Sequence, residues 1–295
     1  MPAWLMRSGP TVALATHAGL PDLDPDDLEL VAALRARGVQ ARPRVWSRDR
    51  DWADFDAVVL RSCWDYDRSP EAFRGWLDRL HRSGVTVWNE PGLVARYLDK
   101  RYLLDLPSKG ISIPTTALLE RGGRFDLGGW MDSVGCGSAV VKPTVSMLSR
   151  STHLVSRENV TELLPLLHAL QGQSELLAQA FHVPLLTYGE TSFVFFDGRF
   201  SHAVRKQPAR GDFRVQAEFG GSRAPVQPSD DDLAWARRVI GAGELDTTLY
   251  ARVDAVLSPT GRTVMEIEAV DPSCYLIEGG DAPQRFAAVI AARLR

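Results

Sequence analysis

Three carboxylates stand close together in the stretch VMEIEAVDPSCYL (264–276): Glu266, Glu268 and Asp271. A fourth, Asp254, lies in the preceding apolar run TLYARVDAVL (248–257). The runs are joined by Ser258-Pro259-Thr260-Gly261-Arg262, which predicts a hairpin with a three-residue loop, Pro259 to Gly261. Ser258 then faces Arg262, so Asp254 faces Glu266 and Arg252 faces Glu268, all on one side of the sheet. Opposed like charges destabilise a strand pair, and burial sharpens the conflict. With three acids against Arg252, a hard divalent cation with oxygen ligands would resolve it. Mg²⁺ held by a few carboxylates and by phosphate oxygens is the usual form. The competing reading is a solvent-facing salt-bridge ladder. Asp271, in the Asp271-Pro272-Ser273 strand stop, stays open between ligand, substrate contact and turn residue.

Only four of the 34 basic residues are lysine: Lys100, Lys109, Lys142 and Lys206. A compact ammonium ending the apolar strand SAVVKP (138–143) either reaches water or meets an anion. Lys206 sits beside Arg205 and shortly before Arg210 and Arg214, while Lys100 lies in YLDKRYLL. Acids suited to metal, separated lysines and clustered arginines together suggest a polyphosphate carried on Mg²⁺. Neither GxxxxGK[ST] nor GxGxxG occurs, so the phosphates are held by some other device than a P-loop or a dinucleotide fingerprint. The six histidines are scattered and form no Ser-His-Asp set; His202 reads as structural and Cys63 as a packing residue.

The elements that must position these groups alternate at first. TVALAT (11–16), AVVLRS (57–62) and VTVW (85–88) are predicted core strands. Between them run a helix capped by Asp24, with Pro25 at its first position and an apolar stripe through Leu28, Val31 and Leu34, and another opened by Ser69-Pro70. This is a parallel, doubly wound pattern. RSCWDYD lies at the C-terminal end of its central strand, where open sheets bind ligands. Arg61 suits a carboxylate, Asp65 an ammonium, and Ser62 and Trp64 complete a grip on a small amino acid. A helix is expected over 92–109, then short strands at 138–143, 151–156, 176–181, 191–197 and 199–206, the last two joined by Asp197-Gly198. A helix at 229–240, the acid-bearing hairpin and a C-terminal helix after Asp281 follow, giving an α/β opening and an α+β remainder.

Composition bounds the function. The chain has 295 residues, 45% apolar and 24% charged, with a net charge of −3 and no run of five like charges, which disfavours nucleic acid and membrane surfaces. The stretch MPAWLMRSGP lacks the apolar core of a leader. Three widely spaced cysteines predict no disulfide framework, so a cytoplasmic protein is expected.

In order, Asp99-Lys100, VVKP, the basic segment 199–214, ARVD and EIE resemble the ATP-grasp superfamily in its glutathione-synthetase and D-alanine–D-alanine-ligase-like branch, over nearly the whole chain. RSCWDY, LDKRYLL and FFDGRFSHAVRKQPARGDFRVQ are most similar to the cyclo-ligases of D-cycloserine biosynthesis (O-ureido-D-serine cyclo-ligases). The resemblance implies a Rossmann-like substrate domain at 1–105, a central lid subdomain at 106–180 and a catalytic subdomain at 181–295. It implies that Lys100 and Lys142 touch ATP phosphates, that Gln179, Ala180 and Phe181 meet adenine, and that Glu190 reaches the ribose. Asp254, Glu266 and Glu268 would hold two Mg²⁺ ions, with Mn²⁺ as an alternative, and Glu268 stands where many relatives have Asn. Arg214, Arg252 and Lys206 would serve the transferring phosphoryl group and the substrate carboxylate, while Asp271 and Ser273 would touch substrate.

The activity implied is ATP-dependent carboxylate–amine ligation through an acyl phosphate on a small amino-acid-like substrate, in a homodimer, with ring closure within one molecule as one form. Peptide-forming or protein-tail ligation, and nucleotide binding without turnover, are the alternatives. Two departures stand out. The loop after the VVKP lysine, TVSMLSRST (144–152), has no glycine where relatives are glycine-rich, and Asp271 replaces the Glu of the cycloserine-type sequences.

Overall fold

The first strand, β1 (Thr11–Thr16), is buried along all but its first residue, as its unbroken apolar run requires. This computed structural model describes residues 9–295; MPAWLMRS, read above for a leader, lies outside them. After β1 come α1 (Pro25–Ala36), β2 (Gln40–Val45), β3 (Ala57–Ser62), α2 (Pro70–Arg82), β4 (Val87–Trp88) and α3 (Pro91–Tyr97). Strands β2-β1-β3-β4 form a parallel sheet, the doubly wound opening expected. Strand β2, QARPRV, is only partly buried at the sheet edge, so it shows no clean apolar alternation.

Asp24 caps α1, its carboxylate accepting the Asp26 N–H at 2.9 Å, with Pro25 in the first turn. The buried face differs from the predicted stripe. Leu28 is 51% exposed, whereas Leu30, Ala33 and Leu34 are buried together with Asp27. An ion pair from Asp27 to Arg61 turns that face inward, and the C-terminal helix packs on α1.

The helix expected over 92–109 is broken. Asp99 accepts the Arg101 N–H at 3.0 Å and caps a 3₁₀ stretch, Lys100–Asp105, which a second one, Pro107–Lys109, follows. The cap rotates Lys100 inward, where it is buried.

The middle of the chain holds β5 (Thr116–Leu119), α4 (Leu127–Ser133), β6 (Ser138–Pro143), β7 (His153–Ser156), α5 (Val160–Gln173) and β8 (Leu176–Ala180). Its antiparallel sheet has the order β5-β8-β6-β7 and a core of its own, built on Leu119, Met131, Val141, Val155, Leu167 and Leu176. The remainder holds α6 (Pro184–Tyr188), β9 (Glu190–Phe196), β10 (Arg199–Gln207), β11 (Ser222–Val226), α7 (Asp230–Ala242), β12 (Tyr250–Ser258), β13 (Gly261–Glu268) and α8 (Ala282–Arg293). Its sheet runs β11-β10-β9-β12-β13, all antiparallel, with the Asp197-Gly198 turn joining β9 and β10.

The first and last sheets are stitched together. Asn89 donates to the carbonyls of Tyr250 and Ala269 and accepts the Leu249 N–H. The Tyr250 hydroxyl lies within hydrogen-bond distance of the carbonyls of Leu60 and Val270, and Phe286 of α8 stacks on Phe196 at 4.3 Å. Among the described residues, no helix is long and apolar enough to cross a membrane.

Candidate active site

The predicted hairpin register holds at the acids but not at the turn. Ser258 pairs with Gly261, leaving only Pro259 and Thr260 in the loop instead of the three residues expected. A bulge between Asp254 and Ala255 then shifts the ladder by one, restoring Asp254 opposite Glu266 and Arg252 opposite Glu268. On its other edge β12 sets Asp254 opposite Ser192 of β9, and β9 sets Glu190 opposite Lys206 of β10. The period of two puts all of these side chains on one face.

That face floors a cavity of about 380 Å³ lying against the middle sheet. Lys142, Gln179 and Ala180 come from that sheet, and Lys100 from the 3₁₀ turn. Two further basic groups resolve the charge conflict that Arg252 alone could not. Lys100 Nζ lies 2.8 Å from Glu266 Oε1, and Lys206 pairs with Glu190 and, at 3.4 Å, with Asp254. Arg252 holds Asp254 through two hydrogen bonds of 2.9 and 2.8 Å and also pairs with Glu268. The Ser192 hydroxyl donates to Asp254 at 2.5 Å.

These neighbours set the protonation states. Burial works against ionising Asp254, yet Arg252 and Lys206 outweigh it and hold its carboxyl below the usual range. Glu266 is likewise lowered by Lys100 and Lys142 against burial. Glu268 goes the other way: burial, then Glu266 and Asp254, push it up to about 7 despite Arg252. Lys206 is raised by Asp254 and Glu190 against burial.

Lys142 differs from the other cations. Burial, together with Lys100, lowers its pKa, and Glu266 and Glu190 only partly offset this. Among the described residues lining the cavity, Lys100, Lys206, Arg214, Arg223 and Arg252 each have a carboxylate within 4 Å, and Lys142 has none. A half-buried ammonium without a counterion is a place for an anion.

No three His, Cys, Asp or Glu side chains among the described residues converge as a ready-made metal site. Mg²⁺ that draws most of its shell from water and phosphate needs only one or two carboxylates. The all-oxygen set of Asp254, Glu266 and Glu268 fits that demand, and the raised carboxyl of Glu268 marks a spot short of positive charge.

The apolar end of the cavity is walled by Val140, Phe181, Leu185 and Met265, beside Gln179 and Ala180 at the end of β8. Arg214 faces it with its guanidinium 3.6 Å above the Phe219 ring, held by Asp212. Trp64 and Ser273 also line the cavity, and the Trp64 indole donates to the Asp271 carbonyl at 2.9 Å.

The structure keeps four expected substrate residues off the cavity wall. Arg61 is 1% exposed, bonded to Asp27 at 2.7 Å and flanked by the rings of Tyr250 and Phe286. Ser62 is wholly buried beside Asp27, and Asp65 accepts the Trp46 indole N–H at 2.7 Å. Asp271 is 1% exposed, and burial and Glu268 raise its carboxyl well above the usual range. Arg61, Ser62 and Asp65 are held by partners elsewhere in the first domain, Asp27 and Trp46, which RSCWDYD alone does not show. Cys63 is buried with its thiol pushed up, in keeping with a packing role.

Several cavity residues had no signal of their own. Asp24 and Asp26, at the start of α1, also line it; the ligand rule applied to β1 as well as β3 would have found them. Tyr275 supplies a ring beneath Lys206, Arg223 and Arg252, at 6.0, 5.4 and 5.3 Å.

Against this geometry, residues 12–89 match the family model described as the N-terminal domain of D-cycloserine synthetase DcsG. The chain is 32% identical to the cycloserine biosynthesis protein DcsG of Streptomyces lavendulae, over 96% of this chain and 99% of that protein. It is similar to the crystal structure of D-cycloserine synthetase DcsG, with a TM-score of 0.87, 28% identity and coverage of 97% and 100%. The D-alanine–D-alanine ligase of Bacillus anthracis complexed with ATP shares the fold, at a TM-score of 0.68, 15% identity and coverage of 97% and 98%.

Proposed function

This chain belongs to the DcsG family of ATP-grasp ligases, and on that premise we propose that it phosphorylates the carboxylate of a small amino-acid-like substrate with ATP and joins the acyl phosphate to an amine. It is an ATP-dependent ligase that forms C–N bonds. A carboxylate does not react with an amine directly, because oxide is a poor leaving group and the amine is protonated. Phosphoryl transfer followed by loss of phosphate removes that obstacle.

The unpaired ammonium of Lys142 carries the reading, since an ATP phosphate would supply its missing partner. Adenine takes the slot between Val140, Phe181, Leu185 and Met265, with Gln179 and Ala180 at its edge, and the ribose lies toward Glu190. Lys100 and Lys142 hold phosphates, and Asp254, Glu266 and Glu268 hold two Mg²⁺ ions, for which Mn²⁺ can substitute. Bound Mg²⁺ supplies charge neutralisation at the phosphoryl oxygens. Arg214 and Arg252 offset charge on the transferring group, and Lys206 helps to keep Asp254 ionised and pairs with Glu190. Ser273 and Trp64 bound the amino-acid end. There the carboxylates of Asp24 and Asp26, with the Trp64 and Tyr275 rings, suit the substrate ammonium expected of Asp65. The three subdomains are assigned to 1–105, 106–180 and 181–295, each centred on one sheet.

The match to DcsG along almost the whole length of both chains favours a small substrate over a protein tail. Ring closure within one molecule, as on aminooxy or ureido derivatives of serine, is the form the family supports best. The test is product analysis with Mg·ATP and a panel of such amino acids. ADP and phosphate, appearing only with a competent substrate, are expected; AMP and pyrophosphate would overturn the acyl-phosphate route.

A further inference from the structure

The loop 144–152 lines the cavity although it contains no glycine. Leu148, Ser149 and Ser151 all take left-handed backbone conformations, with φ of 51°, 56° and 53°. L-residues resist that region, so three of them in one short loop need an outside restraint. Arg150 supplies it. Its side chain bonds Asp67 twice, Nε to Oδ2 at 2.7 Å and a terminal nitrogen to Oδ1. It also donates to the Trp64 carbonyl, and Asp67 Oδ2 accepts the Met147 N–H at 3.2 Å. One carboxylate of the first domain thus takes three donors from the loop.

The inner side of the same loop faces the phosphate end. Ser146, Met147, Leu148, Ser149 and Thr152 line the cavity. The Ser146 carbonyl accepts from Lys100 Nζ at 2.9 Å, and the Thr144 carbonyl accepts from the Lys100 N–H at 2.7 Å. Asp67 belongs to the turn that follows Trp64, whose ring forms the amino-acid end of the same cavity.

We propose that Arg150 is a positioning residue: by clamping the glycine-free loop to Asp67 and the Trp64 carbonyl, it holds the loop over the ATP phosphates and ties nucleotide closure to the segment that bounds the amino-acid substrate. The proposal rests on the ATP-site reading above. A planar, two-pronged guanidinium is suited to such a clamp, and an ammonium is not.

The experiment measures Mg·AMPPNP binding by calorimetry and the melting temperature for the wild type, Arg150→Ala, Arg150→Lys, Asp67→Asn and the reversed pair Arg150→Asp with Asp67→Arg. Arg150→Ala is expected to raise Kd about tenfold, the loss of one charge-assisted contact, while Tm stays within about 2 °C. Arg150→Lys should recover part of the affinity lost in Arg150→Ala, and so should the reversed pair. ATP hydrolysed per amide formed should also rise in Arg150→Ala, because a loosened loop admits water. If Arg150→Ala does not fold, Asp67→Asn reads the same clamp from its other end. Binding by Arg150→Ala or Asp67→Asn within twofold of wild type overturns the clamp alone. A wild type that fails to bind Mg·AMPPNP overturns the ATP-site reading and the clamp with it.

Discussion

Replacing Lys142 by methionine should move stability and nucleotide affinity in opposite directions. In the folded chain burial and Lys100 lower the pKa of Lys142. The ammonium is therefore less stable in the folded than in the unfolded chain, a cost that is fullest at low pH and is lost as pH rises through the unfolded value. Methionine keeps the stem and removes the charge, so the melting temperature without ligand should equal or exceed that of the wild type. With nucleotide the sign reverses. Two unit charges about 4 Å apart attract by about 4 kcal/mol at an effective dielectric of about 20. Desolvation reduces the net value of a charge-assisted bond to about 2 kcal/mol, or about 30-fold in Kd. Calorimetry with Mg·AMPPNP and melting curves, with and without the nucleotide, measure both effects. A lower melting temperature with unchanged nucleotide affinity would refute the reasoning, because it would make Lys142 a structural residue.

Asp27→Asn leaves the Arg61 guanidinium buried without its counterion and should cost about 3–5 kcal/mol in urea unfolding, whatever the substrate. Glu268, pushed up to about 7, holds a proton when folded that the unfolded chain releases near 4.5. Its contribution to stability is full below that lower value and is lost as pH rises through about 7. Mg²⁺ competes with the same proton, so Mg²⁺ affinity should climb over this range, and Glu268→Gln should flatten both curves; parallel slopes in mutant and wild type would assign the proton elsewhere. His202 has its pKa lowered by burial, with Nε2 2.8 Å from the Cys274 carbonyl. Its share of stability is present above about pH 6.5 and lost below it, and melting curves of His202→Gln should show a weaker acid slope.

What the sequence made legible was whatever local chemistry determines. The core strands, the Asp24 cap, the helix beginning near Ser229 and the Asp197-Gly198 turn need only neighbours in the chain, and all are present. The acid register survived a wrong turn because the bulge by Asp254 compensates for the shorter loop, and alternation alone does not reveal a bulge. Arg61 shows the limit most clearly. Its place at a strand end suggested ligand binding, but the position of α1 against β3 supplies Asp27 as its partner. Similarly, Lys100 and Lys206 reach the acids from segments far away in sequence. Polar edge strands such as β11 carry too little apolar pattern to be seen.

The separate core of the middle sheet has a consequence for how the chain opens. Asn89 and Tyr250 fasten the outer two sheets into a single block, whereas Leu119, Met131, Val155 and Leu167 bury one another without help from that block. Amide protons of β6, β7 and β8 should therefore exchange with deuterium as a cooperative group of their own, distinct from those of β1, β3 and β12. A nucleotide bridging the two groups would slow exchange in the lesser one first, which makes that sheet a natural reporter for ligand discovery.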